Sequence, residues 1–173
     1  MREIRRIGDP VLRSPAEPVT EFDRELRRLV DEMMRVMYAA DGVGLAGPQI
    51  GVSLRLFVYD INGRRGHVIN PELTVDDPTE ITEDEGCLSV PSKETGTPLY
   101  APTPRAAGVT VTGVDRLGRP LRIKARGYLA RCFQHETDHL DGVLYVDRLP
   151  KQERRRILLQ TPGPEERAPG LLG

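Results

Sequence analysis

An α+β fold is what this sequence predicts: mostly antiparallel sheets packed around one central helix, with an amphipathic helix towards the N-terminus. Three observations carry that prediction. Phe22, Leu26, Leu29, Val30, Met33 and Met37 recur at helical spacing. From residue 54 to 124, apolar residues alternate or form short runs broken by turn residues, which is a strand signature. From Gly127 to Leu140 no proline interrupts a second helical pattern, and Gly142 stands just past it as a stop.

The chain has 173 residues, 38% of them hydrophobic, and a formal net charge of −1. That suits one compact domain, expected over residues 1–160, and gives no global call for nucleic acid. No apolar run approaches the ~18 residues that span a membrane. Met1-Arg2-Glu3-Ile4-Arg5-Arg6 lacks the apolar stretch of a signal peptide. Cys87 and Cys132 make no disulfide framework, so both are expected free, as in a reducing cytoplasm.

In chain order, Pro10, Pro15 and Pro18 mark an irregular N-terminal arm. Thr20 reads as the N-cap of the first helix, with Glu21 and Asp23 in its first turn and an end near Ala40. The run from Gly42 to Gly47 matches G-x-G-x-x-G, but a helix precedes it and a strand follows, the reverse of the dinucleotide-binding order. It reads instead as a glycine-rich loop that lets backbone approach a ligand. Leu54 to Tyr59 is strand-like, and His67-Val68-Ile69 is a short strand stopped by Asn70-Pro71, with His67 an ordinary strand histidine. Gly86 to Val90 is stopped by Pro91, and Ser92 to Pro104 reads as a surface loop. Val109 and Val111 alternate with threonines, and Asp115 to Arg119 is a hairpin turn. After the second helix, Val143 to Val146 reads as a short strand, Lys151 to Gln160 as a basic helix, and residues 161–173 as a disordered tail.

Two of the three histidines, His135 and His139, stand four apart on the second helix. Residues i and i+4 share a helix face, so both imidazoles can reach one metal ion. Glu136 projects about 100° round from His135, a place for a general base more than for a third ligand. This is the H-E-x-x-H pattern, and it makes the second helix the metal-binding one. A catalytic site of this type takes three protein ligands. Cys87, in Glu85-Gly86-Cys87-Leu88-Ser89, is favoured as the third, with Cys132 as the alternative. A zinc peptidase and a metal-binding module without turnover stay open as rival readings.

Three segments together resemble peptide deformylase: Gly42 to Gln49, Glu85 to Ser89, and Gln134 to Leu140. The resemblance covers roughly residues 3 to 150 and departs in three places. Ala46-Gly47 stands where the family has two alanines, the loop after Ser92 is slightly long, and the C-terminal tail is not a family feature. The resemblance implies removal of the N-formyl group from the initiator methionine of new polypeptides. It implies Cys87, His135 and His139 as metal ligands, Glu136 as the base, and Gln49 and the Leu88 N–H as oxyanion donors. Val43 and Gly44 match positions that pair with the peptide main chain. Tyr128, Cys132 and Arg131 are expected around the methionine side chain, Arg131 with its charge left in water. Glu85 either pairs with Arg105 or supports a ligand. The implied cofactor is one divalent ion, Fe2+ first, with Zn2+, Ni2+ and Co2+ also compatible with this ligand set. The implied partners are N-formylmethionyl nascent peptides and, transiently, the ribosome, in the cytoplasm.

Overall fold

The computed structural model describes residues 1–163. The tail expectation therefore falls mostly outside the described residues. Helix α1 spans Arg24–Ala39 and buries Leu26, Val30, Met33, Val36 and Met37. Its cap is Asp23, not Thr20: the Asp23 carboxylate accepts the Leu26 N–H at 2.9 Å. Thr20 is exposed and lies three residues too early to reach the helix's free N–H groups.

Five antiparallel strands follow in sheet order: β1 (Gly44–Ala46), β2 (Leu56–Ile61), β3 (Arg64–Pro91), β4 (Pro98–Val114) and β5 (Pro120–Arg126). β3 does not stop at Asn70-Pro71 but runs on for 28 residues. Register shifts between Ile69 and Glu72, and twice more before Glu80, absorb the break. Asn70 takes a positive φ of 52°, and its side chain holds Val19 through both N–H and carbonyl. The loop expected over 92–104 is only 92–97 long, because β4 begins at Pro98. Pro102 and Pro104 pair with Asp84 and Thr82, but β5 covers β4 only from Gly108 onwards. On that uncovered edge a proline costs no ladder hydrogen bond.

Alternation along β2 divides the core. Leu56 and Val58 pack with α1, while Phe57 and Tyr59 face helix α2 (Gly127–Leu140). The two helices therefore cover opposite faces of the sheet. Phe133 of α2 sits against the rings of Phe57 and Tyr59, centroids 5.7 and 4.9 Å away. The expected strand at Val143–Val146 is instead a 3-10 turn over Tyr145–Arg148, because the Asp147 carboxylate takes the Leu144 N–H and closes it. The Tyr145 hydroxyl donates to the Leu99 carbonyl at 2.6 Å. Helix α3 follows at Lys151–Gln160. Among the described residues no helix is long and apolar enough to cross a membrane.

Candidate metal centre

α2 is fixed at its C-terminal end before any ligand is considered. The Leu140 carbonyl accepts from the Ala16 N–H and from Arg55 at 2.9 Å each. On this anchored helix the two histidines fall one above the other, with Nε2 atoms 3.2 Å apart. β3 brings Cys87 against them, its Sγ 3.4 Å from His139 Nε2. The donor atoms of Cys87, His135 and His139 all lie within 4.8 Å of one another, and all three residues are buried. Cys132 stands apart from this group, its thiol 3.9 Å from the Val43 carbonyl. Burial, and then the charge of Glu136, push the Cys132 thiol's pKa well up, so it behaves as a small apolar group.

Glu85, 6% exposed, organises what surrounds these ligands. Its carboxylate accepts from Arg105 at 2.6 and 3.0 Å and from Arg131 at 2.9 Å, and lies 2.6 Å from His135 Nδ1. A carboxylate there holds the proton on Nδ1 and leaves Nε2 bare for a ligand. Burial alone would raise the Glu85 pKa. The hydrogen bonds from His135 and Arg105 outweigh it and hold the carboxyl well below its usual range. Burial keeps His139 neutral, its pKa well below the ordinary value. Two ring nitrogens and a thiol crowded together in a buried space suit a divalent ion with nitrogen and sulfur ligands.

Glu136 is buried beside them, and its Oε2 has no hydrogen-bond partner. Burial raises its pKa to about 7. Gln49 stands in a short 3-10 turn, its side-chain oxygen held by the Ala46 N–H at 2.9 Å. That leaves its amide nitrogen 3.1 Å from Ser89 Oγ and 3.6 Å from Cys87 Sγ. From Gly86 to Pro91 the pairing of β3 with β4 lapses, so Leu88 is not paired to β4 where it lines the cleft.

That cleft, about 320 Å³, is lined by Val43, Gly44, Gln49, Cys87, Leu88, Tyr128, Arg131, Cys132, His135 and Glu136. Every expected site residue except His139, which lies deeper, thus meets in one place. Residues 1–155 match the polypeptide deformylase family. The chain belongs to that family. It is 51% identical over 155 residues to the peptide deformylase of Acidothermus cellulolyticus, covering 90% of this chain and 82% of that one. The crystal structure of a peptide deformylase from Legionella pneumophila superposes with a TM-score of 0.84 at 44% identity, covering 92% of each chain. That of the Synechococcus elongatus enzyme in complex with actinonin gives 0.85 at 40% identity, over 92% of this chain and 85% of that one. Deformylases are metal-dependent hydrolases that remove N-formyl groups.

Within the deformylase frame one sequence expectation changes. Arg131 does not leave its charge in water: it is 4% exposed, bonded to Glu85 and to the Thr103 and Ile81 carbonyls. Tyr128, half exposed, lines the cleft as expected of a residue near the methionine side chain, and its role there is part of the proposal below. Sequence reasoning left Glu85 undecided, and it does both things, pairing with Arg105 and orienting His135. It missed Asp138, which takes Arg105 at 2.6 Å and Arg148 at 2.9 Å and so ties the network to the surface. A carboxylate one turn along from His135 on the same helix was the only hint.

Proposed function

We propose that this chain hydrolyses the formamide bond of N-formylmethionyl polypeptides, releasing formate, with Cys87, His135 and His139 holding a divalent metal. The observation that carries the reading is the convergence of those three donor atoms beside a buried carboxylate of raised pKa. Such an ion, when bound, polarises a carbonyl and lowers the pKa of water.

The side chains supply the rest. Glu136, poised near neutrality, takes a proton from the attacking water as its oxygen bonds to the formyl carbon. Negative charge grows on the carbonyl oxygen, and the Gln49 amide and Leu88 N–H are its donors. One such donor is worth about 2.7–4 kcal/mol of barrier. Glu136 then passes its proton to the departing nitrogen, the C–N bond breaks, and formate and a free N-terminal amine leave. β1 has β2 on one side and the cleft on the other, so its outer edge at Gly44, with Val43 just before it, can take an extended peptide as an added strand. Cys132 and the stem of Arg131 flank the methionine side chain, with Tyr128 at the entrance.

Fe2+ is the proposed native ion on the strength of the family resemblance; a thiolate and two imidazoles would accept Zn2+, Ni2+ or Co2+ as well. Residues 1–160 act as a single catalytic domain, in a cytoplasm where formylated chains are made and in transient contact with the ribosome. The test is formate release by anaerobically purified protein. Formyl-Met-Ala should be turned over and acetyl-Met-Ala left intact. Cleavage of an internal peptide bond in its place would sink the proposal.

A further inference from the structure

We infer that Gly44 is a positioning residue for the general base: its missing side chain leaves the space in which the Glu136 carboxylate stands. The inference rests on the reading of Glu136 given above. A Cβ built at position 44 would lie 2.4 Å from Glu136 Oε1 and 3.0 Å from Glu136 Cδ, with Cys132 Sγ also at 3.0 Å. Contacts between real Cβ atoms and oxygen are never that short, so the carboxylate would have to move.

Nothing in the backbone asks for glycine here. Gly44 is absent from the positive-φ residues and pairs regularly with Tyr59 across β1 and β2. In such a strand glycine is disfavoured, and a residue with a side chain fits the pleat better. The helix that carries Glu136 is held by Phe133 between two rings and by Arg55 at its end, so the displacement falls on the carboxylate and not on the backbone. Gly42, two residues earlier, does something different: a Cβ there would meet Leu88 Cδ1 at 2.7 Å, away from the base.

Gly44→Ala keeps the backbone N–H and carbonyl that an added peptide strand would use, so it separates substrate pairing from base placement. The test measures kcat and KM for formyl-Met-Ala on metal-loaded wild type, Gly44→Ala, Glu136→Asp and the double variant, with metal content and melting temperature alongside. Gly44→Ala should lower kcat about 100-fold, the scale of a 1 Å misplacement, with KM changed far less. In the Glu136→Asp background the carboxylate is drawn back by one methylene, and adding Gly44→Ala should cost little more. An equal loss in both backgrounds overturns the inference. So does recovery of kcat in Gly44→Ala/Cys132→Ala, which would assign the crowding to the thiol. Should Gly44→Ala alone fail to fold, a folded, metal-loaded double variant with Glu136→Asp supports the inference and an unfolded one overturns it. Wild-type turnover in Glu136→Asp and Glu136→Gln would instead remove the base assignment itself.

Discussion

Replacing Glu136 with Gln preserves the shape of the side chain and deletes its basicity. Because Cys87, His135 and His139 are untouched, metal content should hold while kcat falls by about 10²–10⁴-fold. Near-normal turnover with full metal would mean that another group takes the proton. The two cysteines make a sharper pair. Cys87→Ser should lose metal on dialysis and Cys132→Ser should keep it, as read by elemental analysis of the dialysed proteins. Cys87 was legible in the sequence because glycine before it and proline after it mark a strand end that can meet a helix. The Glu85 network was not legible. Arg105 and Arg131 are 20 and 46 residues away from Glu85 along the chain, and only the β3–β4 pairing and the placement of α2 bring them together. Local spacing holds no trace of such a meeting, and so the sequence places the Arg131 stem beside the methionine pocket with its charge in water.

The elements differ in how openly the sequence declares them. Both long helices were legible, since apolar spacing and the absence of proline act locally. The cap of α1 was not, because Thr20 and Asp23 are both good cap residues and only the backbone path chooses between them. Asp23→Ala should cost roughly 0.5–2 kcal/mol in urea unfolding, and Thr20→Ala close to nothing. The long strands were hidden for another reason: prolines that usually end a strand are harmless on an edge without a neighbour. The β4–β5 hairpin carries a pH dependence. His67 on β3 accepts the Arg116 N–H at 3.0 Å. Burial, and then the Arg116 charge, lower its pKa below 6.5, against the opposing pull of Asp115 and Asp31. The folded chain thus binds this proton less readily than the unfolded one. Its contribution to stability is complete above pH 6.5 and declines as pH falls below it. Urea midpoints at pH 7.5 and 5.5 should separate more in the wild type than in His67→Gln, whose amide oxygen accepts the same bond without titrating. Equal separations would show that this histidine does not set the slope.

For the molecule as a whole, the proposed ion decides how the protein ages. Iron beside one thiolate and open to small molecules invites O₂ to oxidise the metal or to take Cys87 up the sulfenic and sulfinic ladder. Iron-loaded protein should lose activity in air and keep it under argon, while zinc- or nickel-loaded protein holds its rate. Mass spectrometry should find the added oxygen on Cys87, and an air-stable iron form would argue against iron at this thiolate. The placement of β1 has a consequence of a different kind. This strand is three residues long, with one edge bound to β2 and the other turned into the cleft. An edge so short and so enclosed offers no landing place to another sheet, which protects it from pairing with folded neighbours. By the same geometry it receives a guest only as a loose, extended chain end. The reaction is then in a race: a formylated terminus is available only until its own protein packs it away, and a fast-folding N-terminus shortens the time in which it can be processed.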